Sequence, residues 1–335
     1  MKALGFIVIL ALAATAPAPR PTELVLSVTT QNSVFPGLED LAKLGGELPP
    51  ELKKLIGTTR TLEVALTTTG TPPPGAVARL TVPESLKLGK ELTLELPTAA
   101  KPGSATPKFP DLAMRIYWGS SDEIGPGQPK LIDAKSLEGS AKLTTAPGKF
   151  PPTVAVWPSA KTEPTPMVAD DASLAGAYKL TISYAGTTPF ELDQSVDFLA
   201  PIKLTAPKSD DAFKPAQPIK LEWQPVPGVS GYTVQAMGSP DGRHSVFWWS
   251  SSTYAVNGLP FDFTAPERIA VLIRDGLALP PDATAVTIPR NIFKGCDSLV
   301  VYVTAFGSVK TMPVTPTVRV QVKSVATLVL GAPEP

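Results

Sequence analysis

Histidine occurs once in this chain, at position 244, and cysteine once, at 296. The imidazole stands in the turn-like run GSPDGRHS, close to Ser239, Asp241 and Ser245. Those are the residue types that a serine nucleophile and its base require. Neighbouring positions on a tight turn rarely converge on one substrate atom, and the chain holds neither a Gly-x-Ser-x-Gly elbow nor a Ser-x-x-Lys pair. One His and one Cys far apart make no multi-ligand set for zinc or copper. Two carboxyl groups about 5–10 Å apart suffice for glycoside hydrolysis, and Asp122 with Glu123, Asp170 with Asp171 and Asp210 with Asp211 are the adjacent pairs. Adjacent loop acids are ordinarily solvated, and the same oxygens suit a calcium site. No catalytic residue, metal or cofactor is therefore assigned.

Aromatic side chains offer different chemistry. Val246-Phe247-Trp248-Trp249 is the densest aromatic run, with Tyr254, Phe261 and Phe263 close behind. On a strand, Phe247 and Trp249 point one way and Trp248 the other, so one covered face leaves the other aromatic presented outward. An exposed tryptophan suits sugar-ring stacking or a protein interface, having a flat apolar body and one N–H donor. Trp248 and Trp249 are the expected ligand-binding residues, with Tyr117 and Trp118, at the end of another strand, as a second candidate. The competing expectation covers both faces, one by an opposing sheet and one by a nearby helix.

The elements that position these groups follow from patterning. Thirty-nine prolines in 335 residues exclude long helices and favour short strands joined by rigid loops. With 43% hydrophobic residues the chain can bury a real core. Thirty basic and thirty acidic residues cancel, which gives no electrostatic reason to expect nucleic acid or an anionic membrane as partner. Apolar–polar alternation marks strands at 23–28, 61–67, 92–96, 112–118, 153–157 and 178–184. Residues 37–57 carry a leucine stripe and read as a helical insertion, a pattern normally used for core packing; residues 265–275 read as a second helix, closed by Gly276.

Residues 1–18 combine Lys2, an apolar run over 3–14 and the small residues Ala14-Thr15-Ala16, the pattern of a secretory signal peptide. The apolar run is shorter than the ~20 residues needed to span hydrocarbon. The expected mature chain is extracytoplasmic, periplasmic or secreted, and not an integral membrane protein. Its single cysteine provides no internal disulfide, so core burial must hold the fold. Length predicts two domains: a β-rich unit over 19–200 and a second over 201–330, with the junction at Ala200-Pro201.

In the C-terminal half, residues 219–238 place Leu221 and Trp223 on a strand, turn through Pro225 to Gly231, and resume with Tyr232, Val234 and Ala236. This resembles the strand B to strand C passage of a fibronectin type III or immunoglobulin-like sandwich, in which a strand-B tryptophan packs between the sheets. Residues 299–306, with Tyr302, and residues 317–325 fit strands F and G. The resemblance implies a mainly β chain of two such sandwiches with short helical insertions, the helix at 265–275 being a decoration. Taken whole, the chain resembles a group of uncharacterised secreted bacterial proteins. The matching residues are Tyr117-Trp118-Gly119, Pro126 to Pro129, Trp157-Pro158, Asp197 to Pro201, Trp248 to Ser251 and 288–295. That implies an extracytoplasmic β protein and imports no activity. The functional expectation is a non-enzymatic binding or structural factor of the bacterial cell envelope, with an envelope glycan or protein as partner. Its rival is a secreted, carboxylate-dependent hydrolase acting on glycans.

Overall fold

Each alternating run forms a strand that turns its apolar residues to one side, and the long runs form long strands. The computed structural model describes residues 19–34, 57–95, 113–132, 153–159, 166–207, 213–241 and 244–331. The chain opens with β1 (Arg20–Val34) and β2 (Gly57–Thr69). Next come β3 (Ala78–Thr81), β4 (Glu91–Leu94), β5 (Ala113–Trp118), β6 (Lys130–Ile132), β7 (Thr153–Trp157), β8 (Gly176–Ile182) and β9 (Gly186–Leu192). Beyond residue 200 lie β10 (Leu204–Ala206), β11 (Ile219–Trp223), β12 (Gly231–Gly238), β13 (His244–Trp249) and helix α1 (Pro266–Arg274). The last strands are β14 (Ala285–Ile288), β15 (Leu299–Met312) and β16 (Thr317–Leu330). The protein is mainly β, with one α-helix among the described residues. No helix among them is long and apolar enough to cross a membrane. The segments 1–18 and 37–56 lie outside the described residues, and Gly57 opens β2.

One nine-stranded sheet dominates, in the order β6-β5-β13-β12-β15-β16-β1-β2-β7. A four-stranded sheet, β4-β3-β8-β9, and a three-stranded sheet, β10-β11-β14, complete the architecture. Register pairing carries one apolar face across the large sheet. Ala155 of β7 pairs with Leu66, Leu66 with Leu24, and Leu24 with Val318. Further along, Leu328 pairs with Val301, Val301 with Ala236, Ala236 with Trp248, and Trp248 with Tyr117. All of these side chains belong to one core cluster with Leu80, Leu92 and Leu180 of the four-stranded sheet and Leu221, Trp223, Val286 and Ile288 of the three-stranded one. The opposite face is polar over β1, β2 and β16, where the Glu23 and Arg319 side chains form an ion pair and Gln321 Nε2 donates to Ser27 Oγ at 2.8 Å.

Strands from both sides of residue 200 share the nine-stranded sheet. β1 pairs in parallel with β16, and β5 in parallel with β13. On either side of Ala200-Pro201, Leu199 and Ile202 are buried beside β1, whose Thr30 Oγ1 donates to Leu199 O and Asn32 Nδ2 to Ile202 O, each at 2.8 Å. α1 begins with Pro266 just inside its start, where the missing N–H costs nothing, and ends before Gly276, whose φ of +71° suits a residue without a Cβ.

Candidate functional site

Strand alternation separates the four aromatics singled out by sequence. Trp248 and Tyr117 are paired neighbours on the core face of the large sheet, and Trp249 and Trp118 are paired neighbours on the other. Trp248 is 0% exposed and its indole N–H donates to Gly119 O at 2.8 Å. Tyr117 is buried in the same cluster. Trp248 and Tyr117, two of the four residues expected to bind a ligand, thus lie in the core cluster that the large sheet shares with the two smaller ones. Trp249 is also buried, beneath Ala255 and Leu259 of the segment that follows β13, whereas Trp118 remains half-buried. The covering element is that loop, rather than the helix.

On this second face, register places five residues of adjacent strands in one row. Trp118 of β5 pairs with Trp249 of β13, Trp249 with Gln235 of β12, Gln235 with Tyr302 of β15, and Tyr302 with Thr327 of β16. Adjacent strands lie about 4.8 Å apart, so the four intervals span about 19 Å. None of the five is charged. Gln235 is only 5% exposed and its Nε2 has no hydrogen-bond partner among the described residues; the hydroxyl of Thr327, also buried, is likewise unpaired.

Residues 253–263 lie over this row without regular secondary structure. Tyr254 stacks on Trp249, with ring centroids 5.9 Å apart and planes at 17°, and tilts against Trp118 at 5.4 Å. Phe261 meets Tyr302 edge-on at 6.1 Å. Polar ties are few: Thr233 Oγ1 donates to Pro260 O at 3.3 Å, and Lys323 Nζ donates to Phe261 O at 3.1 Å while lying 4.4 Å from the centre of the Phe263 ring. Burial lowers the Lys323 pKa, against the opposing influence of Asp262 and Glu63. At the loop's start, Ser252 N donates to Gly276 O at 2.8 Å. Between the loop and α1 is a cavity of about 450 Å³ lined by Tyr254, Val256, Leu259, Arg268, Leu272 and Asp275, among others.

No family model matches the chain, and no curated protein matches it. The row and its covering loop are accordingly read from geometry alone.

The groups with catalytic residue types are placed elsewhere. Asp241 accepts from the His244 N–H at 2.7 Å and contacts the imidazole through its other oxygen, but Ser239 Oγ donates to the His244 carbonyl and not to the ring. This arrangement closes the turn before β13. Glu123 lies 3.0 Å from Arg290, and the Asp122 carbonyl accepts from Arg290 N, so the acidic loop runs along β14. Asp171 is paired with Lys87, and the Asp170 carbonyl takes the Arg60 guanidinium. Asp210 and Asp211 lie outside the described residues. Among the described residues, no group of three His, Cys, Asp or Glu side chains is placed to hold a metal. Cys296 is buried, and burial with the nearby charges of Asp297 and Asp241 pushes its thiol up, which disfavours the reactive thiolate. Gln235 and Thr327 carried no sequence signal: in an alternating strand each reads as a solvent-facing polar residue.

Proposed function

We propose that this protein is an extracytoplasmic, non-enzymatic binding factor of the bacterial cell envelope, and that its ligand engages the Trp118–Thr327 row. The signal-like segment 1–18 supports the address. The observation that carries the binding reading is the buried Gln235 Nε2 between Trp249 and Tyr302, a polar donor set among aromatic rings with no acceptor among the described residues. Buried polar groups in native proteins are ordinarily satisfied, and an exception calls for an explanation such as strain, an ordered water or a functional role. Ligand sites combine apolar and aromatic walls with a few such groups.

The proposal includes the finer architecture of two sandwich halves, each smaller sheet facing its own stretch of the long sheet. The C-terminal half has fibronectin III character, supported by Trp223 packed 5.5 Å from Tyr232. The test is co-sedimentation of the purified chain, begun at residue 19, with cell-envelope fractions, alongside a Trp118→Ala variant whose circular dichroism matches the parent. Saturable pelleting that the variant loses is the expected result. Absence of pelleting with every fraction overturns the proposal.

A further inference from the structure

Resting on that binding reading, we propose that residues 253–263 are a lid over a trough crossing β5, β13, β12, β15 and β16, and that the trough takes a neutral glycan chain. The loop holds the row in the way a ligand would. Tyr254 covers the Trp118–Trp249 end and Phe261 covers Tyr302, but the residues between them leave the Gln235 amide unpaired. Under this cover two buried polar groups, on Gln235 and Thr327, are without partners among the described residues, where buried polar groups are ordinarily hydrogen-bonded. The outer surface of the loop is solvated and mixed, with Val256 79% exposed and Phe261 about half exposed beside the exposed Thr253, Asn257 and Asp262. The cavity between the loop and α1 gives the loop room to leave the sheet.

The row selects the chemistry of its ligand. Flat rings at one end offer the apolar face that a pyranose ring stacks on, and the amide, phenol and hydroxyl offer donors and acceptors to sugar hydroxyls. The row is uncharged, and the nearby Lys323 ammonium is engaged by the Phe261 carbonyl and the Phe263 ring, which favours a neutral chain over a phosphate backbone. A peptide adding as a strand needs open main-chain groups at a sheet edge, and these strands lie inside the sheet with both neighbours paired. A chain about 19 Å long, laid across the strands, meets all five residues.

The experiment measures pelleting of the parent, Phe261→Ala and Gln235→Leu chains with one cell-envelope fraction, used untreated, protease-digested or periodate-oxidised. Removing the Phe261 ring takes one lid contact off Tyr302 and leaves every residue of the row in place, and affinity is expected to rise about two- to tenfold, the worth of one aromatic contact. Gln235→Leu is expected to lose at least tenfold while its unfolding midpoint is no lower than the parent's. Pelleting that survives protease and disappears after periodate identifies a glycan. Pelleting abolished by protease but not by periodate overturns this inference and leaves the binding reading standing. An unchanged or weaker Phe261→Ala chain overturns the lid. No pelleting of any form removes the binding reading itself.

Discussion

Replacing Gln235 with leucine is expected to make the protein more stable. The side chain is 95% removed from solvent and its Nε2 has no partner among the described residues. An unsatisfied buried polar group costs about 1–3 kcal/mol, and an apolar group of similar shape removes that cost. Leucine is one heavy atom shorter than glutamine, so a small void between Trp249 and Tyr302 offsets about 1 kcal/mol of the gain. The net expectation is about 0–2 kcal/mol in favour of the variant. Urea unfolding followed by tryptophan fluorescence measures it, with the midpoint moving up and the slope unchanged. Gln235→Glu is the control: it puts a carboxylate in the same place and is expected to be strongly destabilising. If Gln235→Leu instead lowers stability by 1 kcal/mol or more at constant slope, the amide is hydrogen-bonded in the native protein. The case for an unfilled site on this face then fails.

Trp248→Ala, which removes the largest fully buried side chain and the bond to Gly119, is expected to cost about 3–5 kcal/mol; a loss under 1 kcal/mol in urea unfolding contradicts its place in the core. Lys310, with the Ser195 hydroxyl and N–H, holds Asp193 well below the usual carboxylate range. A carboxyl depressed in the folded state contributes stability that is fully present above about pH 3.9 and lost as pH falls toward the lowered value. Lys310→Met is therefore expected to begin acid unfolding at higher pH than the parent, and coincident acid limbs refute this. Lys323 titrates in the opposite sense. Its lowered pKa means that the unfolded chain holds the proton more tightly, so stability from this group rises with pH between the lowered value and about 10.4. Urea midpoints at pH 8 and pH 10 should show that gain in the parent and not in Lys323→Met; equal gains in both chains count against a half-buried ammonium under the lid.

The strands were largely legible because alternation is local. Residues 23–28, 61–67 and 299–306 each carry a core face in their own spelling, and these became parts of β1, β2 and β15. β9 was not legible, because Pro189 argues against a strand interior; the structure puts β9 at the edge of the four-stranded sheet, where a missing N–H breaks no ladder. The candidate site was half legible for the same reason. Phe247-Trp248-Trp249 states that its rings point to opposite faces, but which face stays reachable depends on neighbours that no local pattern names. β5 arrives beside β13 from about 130 residues away, and β16 beside β1 from nearly 300. These pairings sort Trp118 with Trp249 and Tyr117 with Trp248, and they set Gln235 of one strand beside Tyr302 of the next. Such long-range closure is costly before it is rewarded. Because β1 and β16 are neighbours in the large sheet, that sheet cannot be completed until its last strand is available to pair. The row draws on β5, β13, β12, β15 and β16 together, from Trp118 to Thr327, so no short stretch of the chain contains it, and only pairing across that separation brings its five residues into line.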